Sequence, residues 1–104
     1  MTDRELLDLI ARARDEEWKE LNLSYRQISV IPDSVGQLSN LRRLDLSGND
    51  IEVISESIAN LTNLQVLDFS YNHIKTIPSF IEKNINISDF YLNDNLILRT
   101  KLGL

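Results

Sequence analysis

Apolar residues recur along this chain with a fixed spacing of 23. Leu41, Leu44, Leu46, Ile51 and Ile54 return as Leu64, Leu67, Phe69, Ile74 and Ile77. The same columns hold Ile87, Phe90, Leu92 and Ile97 in a later copy, and Trp18, Leu21, Leu23, Ile28 and Ile31 in an earlier one. Four copies therefore stand in one register, with no insertion between them. The alternation of Leu44 and Leu46 places both side chains on one face of an extended segment, which predicts a short strand in each copy. Four such strands stacked in parallel, about 4.8 Å apart, make one sheet. Ile51, Ile54, Ile58 and Leu61 fill the core behind it as the chain returns. Pro32 and Pro78 suit that return, where no ladder hydrogen bond is lost. No copy buries its apolar face alone, so stability has to come from its neighbours.

Ahead of the repeats the period becomes helical. Thr2, with Glu5 three residues on, has the signature of a capping box, and Leu6, Leu7, Ile10 and Ala13 follow at helical spacing. The pattern predicts a capping helix within residues 1–17, laid over the open first turn. Four repeat units occupy 18–104, the last incomplete, with Trp18 joining the core in the column of Leu41.

These columns, and the segments "IPDSVGQLSN", "ISESIANLTN" and "IPSFIEKNIN" (31–40, 54–63 and 77–86), resemble the leucine-rich repeats. The closest likeness is to the class of 23-residue units found in bacterial repeat proteins and in intracellular Ras-pathway-type and Roco-type proteins, with an N-terminal helical cap. The resemblance runs over roughly residues 18 to 100. It implies an α/β right-handed solenoid with a short parallel sheet on a concave face. It also implies that Asn49, Asn72 and Asn95 are frame residues whose amides satisfy the backbone of adjacent turns. Arg26 replaces asparagine in the first unit, and as a terminal departure it is expected at an exposed edge.

With the frame assigned, the remaining positions form three columns expected to face out of the sheet. They are Glu20, Arg43, Val66, Asp89; then Asn22, Asp45, Asp68, Tyr91; then Ser24, Ser47, Ser70, Asn93. Asp45 and Asp68 should be neighbours, repelling by roughly 1 kcal/mol in water-like surroundings. With Asp89 they form an acidic patch relieved only by Arg43, and Tyr25, Tyr71 and Tyr91 offer aromatic anchors. Two readings stay open: a surface for a basic protein partner, or a solvated acidic face that keeps a small solenoid soluble. A divalent cation between the two aspartates is the weaker alternative, because Ca²⁺ wants six or more oxygens.

Composition narrows the field further. The net charge of -5 supplies no basic stripe for nucleic acid and disfavours anionic membranes. The absence of cysteine excludes disulfides and thiolate metal sites, and with the acidic, non-apolar start of the chain it leads to an expected cytoplasmic location. Glycosylation sequons at Asn22, Asn60 and Asn86 are expected to be accidents of the repeat. Gly36, Gly48 and Gly103 stand apart from any phosphate-loop pattern, and the single histidine, His73, falls in a solvent column with Gln27, Asp50 and Leu96. No catalytic residue, cofactor or metal follows from the sequence, and the expectation is a non-enzymatic module.

The last unit inverts the pattern. Asn84 and Thr100 fall in buried columns, while Leu96 and Leu98 fall in polar ones, followed by Leu102 and Leu104. Phe80 is expected as an exposed aromatic on the convex side. With no polar terminal cap and an unpaired strand edge, either the array continues or two copies meet through this end. The favoured function is protein recognition through the concave face. The alternatives are a homodimer through the C-terminal edge, or the recognition arm of a larger Roco-type signalling protein.

Overall fold

A computed structural model describes residues 1–83 and 86–97. Its first element is helix α1, Asp3–Asp15. The Thr2 hydroxyl accepts from the Glu5 N–H at 3.1 Å, and the Glu5 carboxylate accepts from the Thr2 N–H at 3.0 Å. This reciprocal cap satisfies two otherwise orphaned donors and sets the helix start. Acidic residues in the first turn and Arg12 and Arg14 in the last complement the helix dipole. Leu6, Ile10 and Ala13 are buried, but Leu7 is exposed, contrary to the expectation that it belonged to the core face. The buried stripe is narrow because the helix covers only one end of the solenoid.

Four three-residue strands follow: β1 (Glu20–Asn22), β2 (Arg43–Asp45), β3 (Val66–Asp68) and β4 (Asp89–Tyr91). They form one parallel sheet in sequence order, with Leu21, Leu44, Leu67 and Phe90 in register. Between strands the chain returns through 3-10 turns at Asp33–Gln37 and Glu56–Asn60, then through the short helix α2, Ser79–Lys83. Leu44, Leu67, Phe69, Ile51, Ile74, Ile58 and Leu61 are fully buried between sheet and return. At the far end Phe69 and Phe90 meet edge to face, with centroids 6.4 Å apart. The two 3-10 turns pack closely. A methyl group on Gly36 would stand 2.9 Å from the Ser57 carbonyl oxygen, so only glycine lets the turns approach this far.

An amide ladder ties the turns together. Asn49 Oδ1 accepts from the N–H groups of Arg26 and Ile28, while its Nδ2 donates to the carbonyls of Leu23 and Leu46. Asn72 accepts from Ile51 N–H and donates to Leu46 and Phe69. Asn95 accepts from Ile74 N–H and donates to Phe69 and Leu92. Each amide thus bridges its own turn to the previous one, satisfying groups that no strand ladder reaches. Arg26, which replaces asparagine in the first repeat, is exposed. A second, outer ladder runs on the return side, with Asn63 Nδ2 donating to Ser39 O and Asn86 Nδ2 to Thr62 O.

Candidate functional site

The open face of the sheet carries the first two predicted columns. Glu20, Arg43 and Val66 are in register across β1 to β3, with Asp89 opposite Val66 on β4. Asn22, Asp45, Asp68 and Tyr91 form the next row, so Asp45 and Asp68 are direct neighbours. Glu20, Asn22, Arg43, Asp89 and Tyr91 are exposed, and Val66, Asp45 and Asp68 half-buried.

The third column does not face out. Ser47 and Ser70 are buried, Ser24 is half-buried, and only Asn93 is exposed. The reason is local chemistry. Asp45 Oδ1 accepts from both the N–H and the hydroxyl of Ser47, at 2.9 and 2.6 Å. Asn22 Oδ1 does the same for Ser24, and Asp68 Oδ1 accepts from the Ser70 N–H at 2.8 Å. Each is an Asx turn that ends the strand after three residues and rotates the serine inward. The signal was present in the sequence as Asx-x-Ser at 22–24, 45–47 and 68–70. One carboxylate oxygen of each aspartate is therefore committed to the frame, and that leaves only the other available to a ligand. The sequon at Asn22 is the first of these turns.

The aromatic anchors divide. Tyr25, Gly48, Tyr71 and Asp94 share one column, and all have positive φ, between 55° and 70°. The Tyr25 ring lies against Gly48, in the space a side chain there would occupy, so it packs across the turn of the next repeat while remaining 70% exposed. Tyr71 sits two repeats further on, and Tyr91 on the strand row beside Asp68. His73 and Asp50 are both exposed, with Nε2 and Oδ1 3.6 Å apart. Among the described residues no group of three or more His, Cys, Asp or Glu is placed to hold a metal ion.

The sequence reading also missed two cations. Lys19, Arg42 and Arg43 line an open cleft of about 560 Å³ with Trp18, Glu20, Gln65 and Val66. Arg43 makes no ion pair with the acidic row among the described residues, and it is joined by Lys19 and Arg42 rather than standing alone. Trp18 is half-buried and fixed in place. Its Nε1 donates to Glu16 Oε1 at 3.0 Å, while Arg12 donates to Glu16 Oε2 at 2.9 Å and sits 5.6 Å from the ring centroid. The hydrogen bonds from Trp18 and then Arg12 hold the Glu16 carboxyl below the ordinary glutamate range.

At the C-terminal side Leu96 is exposed, as are Gln27, Asp50 and His73 in its column, and Phe90 and Leu92 are half-buried, whereas the counterparts of those two in earlier repeats are buried. Phe80 is not the exposed aromatic expected. It is half-buried against the core, because α2 turns Ile81 inward and lays Phe80 beside Ala59 and Thr62 of the preceding return. Asn84, Leu98, Thr100, Leu102 and Leu104 lie outside the described residues.

A parallel sheet with an open face, backed by turns pinned through asparagine ladders, defines a solenoid scaffold. Family models described as Leucine Rich repeats (2 copies) and Leucine Rich Repeat match residues 19–56 and 63–84, together more than half the chain. The chain belongs to the leucine-rich-repeat family, whose fold typically serves protein interaction. No curated protein matches it. Similar solved structures include a leucine-rich-repeat protein of Leptospira interrogans, at 32% identity and a TM-score of 0.73 over 82% of this chain and 22% of that one. An internalin from Listeria monocytogenes is similar at 27% identity and a TM-score of 0.72, covering 86% of this chain and 28% of that one. A TDR receptor is similar at 34% identity and a TM-score of 0.70, covering 82% and 16%. The chain thus spans less than a third of the length of each.

Proposed function

We propose that this chain is a non-catalytic module that captures a protein partner through the open sheet face, using the acidic row of Asp45 and Asp68 against basic side chains. The observation that carries this reading is the pairing of two aspartates on adjacent strands, each with one oxygen tied back by its own turn. The untied oxygens share one surface without a local cation in ion-pair contact among the described residues. Asp89 extends the negative field diagonally, and Tyr91 offers an aromatic flank on the same row. Acids on an open face steer a basic partner and set its register more than they add raw affinity.

The Asx turns determine how the reading is tested. Asn22 makes the same two bonds to Ser24 that Asp45 makes to Ser47, so asparagine removes the charge and keeps the turn. The double variant Asp45→Asn/Asp68→Asn should keep the wild-type unfolding midpoint while binding a fluorescein-labelled arginine-rich peptide at least about tenfold more weakly, or about 1.4 kcal/mol. Unchanged peptide affinity in a folded double variant would sink the proposal.

A second reading is self-association through the C-terminal edge. It is supported by β4 standing last in the sheet order and by exposed Leu96 in the segment that follows it. Light scattering decides this one: a monomer mass at high concentration, unaltered by Leu96→Glu, removes it. The 23-residue spacing favours the bacterial and Roco-type class of repeats, and a cytoplasmic setting accords with the cysteine-free composition.

A further inference from the structure

The negative charge of the chain conceals a separate basic site. Lys19 and Arg42 occupy the same position in successive repeats, and Arg43 follows Arg42. The backbone brings the three together: the N–H groups of Arg42 and Arg43 both donate to the Lys19 carbonyl, at 2.7 and 3.1 Å. Their side chains are exposed and form no ion pair among the described residues, although the protein carries sixteen acids to eleven cations. Other cations nearby are neutralised, Arg12 by Glu16 and Arg14 by Asp15. Lys19 stands just before β1, Arg42 just before β2, and Arg43 opens β2, and like charges about 4 Å apart repel by roughly 1 kcal/mol even in water. Only Glu20 offsets them within the cleft.

One wall of that cleft is preformed. Trp18 is held by the Glu16 bond and by the Arg12 guanidinium against its ring, so little side-chain entropy remains to be lost when a ligand packs on it. Arg43 and Asp45 lie two residues apart on β2, about 7 Å at the strand rise, and so the face of that strand runs from positive at its start to negative at its end.

From this arrangement we infer that the Trp18–Lys19–Arg42–Arg43 cleft binds an acidic polypeptide segment, its carboxylates on the cations and its backbone or apolar atoms on Trp18. A short segment fits better than a long polyanion. A nucleic-acid backbone continuing along the strands would meet Asp45 and Asp68 within about 7 Å, inside one Debye length at physiological salt. The inference goes beyond the acidic-row reading and does not depend on it.

Trp18 is the only tryptophan, so its emission reports this cleft alone. The probe is a tryptophan-free peptide of alternating glutamate and serine, titrated into the whole protein. A saturable change in Trp18 emission is expected, with affinity falling as salt rises. Arg42→Glu/Arg43→Glu should weaken binding at least about tenfold, or about 1.4 kcal/mol. Asp45→Asn/Asp68→Asn should leave it intact, which separates this site from the acidic row. Circular dichroism of the Arg variant confirms folding, since neither guanidinium bonds to the frame. Unchanged Trp18 emission at millimolar peptide, equal binding by the folded Arg variant, or tighter binding of a single-stranded oligonucleotide than of the peptide each overturns the inference.

Discussion

Asn49 and Asn72 occupy equivalent places and are equally buried, 5% exposed each, yet their removal should cost different amounts. In Asn72→Ala most orphaned groups keep a second partner. Leu46 O still accepts from Asn49 Nδ2, Phe69 O from Asn95 Nδ2, and Ser70 O from Gly48 N–H. Only the Ile51 N–H loses its sole partner among the described residues. In Asn49→Ala the Arg26 and Ile28 N–H groups and the Leu23 carbonyl all lose theirs, because no earlier asparagine stands at Arg26 to share the load. A buried polar group left unpaired costs about 1–3 kcal/mol. Asn72→Ala should therefore cost about 1–3 kcal/mol and Asn49→Ala about 3–6 kcal/mol, with water reaching the Arg26 edge and holding the total down. A gap of about 2 kcal/mol corresponds to roughly 8–16 °C in Tm for a domain of this size. Urea unfolding followed by far-UV circular dichroism measures both, with the m-values compared to check that the same surface unfolds. If Asn72→Ala is as destabilising as Asn49→Ala, or more so, the account of shared partners along the ladder is wrong.

Three further outcomes follow from the same geometry. Asp45→Ala should destabilise by about 1–3 kcal/mol more than Asp45→Asn, because alanine leaves the buried Ser47 hydroxyl and N–H without their acceptor; equal midpoints in urea would refute the Asx-turn role. Gly48→Ala should cost more than the roughly 1–2 kcal/mol expected for left-handed backbone, since the new methyl meets the Tyr25 ring. In a Tyr25→Ala background that excess should vanish, and a double-mutant cycle with no coupling would contradict the packing. Glu16 has a lowered pKa, so its contribution is complete above the ordinary glutamate value and disappears as pH falls through the lowered one. Trp18 emission should accordingly step below the pH at which a free glutamate titrates, and Glu16→Gln should abolish the step.

The sequence alone determined the repeat, its register and its frame. A spacing of 23 in apolar residues admits one stacking, and Leu21, Leu44, Leu67 and Phe90 align across the sheet as that spacing requires. The asparagine column and the Thr2 cap were legible too, because backbone groups at turns and helix starts need particular side chains at particular offsets. Asp45 and Asp68 could be paired on paper for the same reason. What only the tertiary structure decided was direction. The strands end after three residues, so Ser47 and Ser70 turn inward where strict alternation would have turned them outward, and half of each aspartate belongs to the frame. Tyr25 folds over a glycine one repeat away. Lys19, Arg42 and Arg43 become a single cleft only once adjacent strands are laid side by side with Trp18 pinned at the edge. Periodicity fixes which residues share a column, but where a side chain points depends on the hydrogen bonds at the end of each strand.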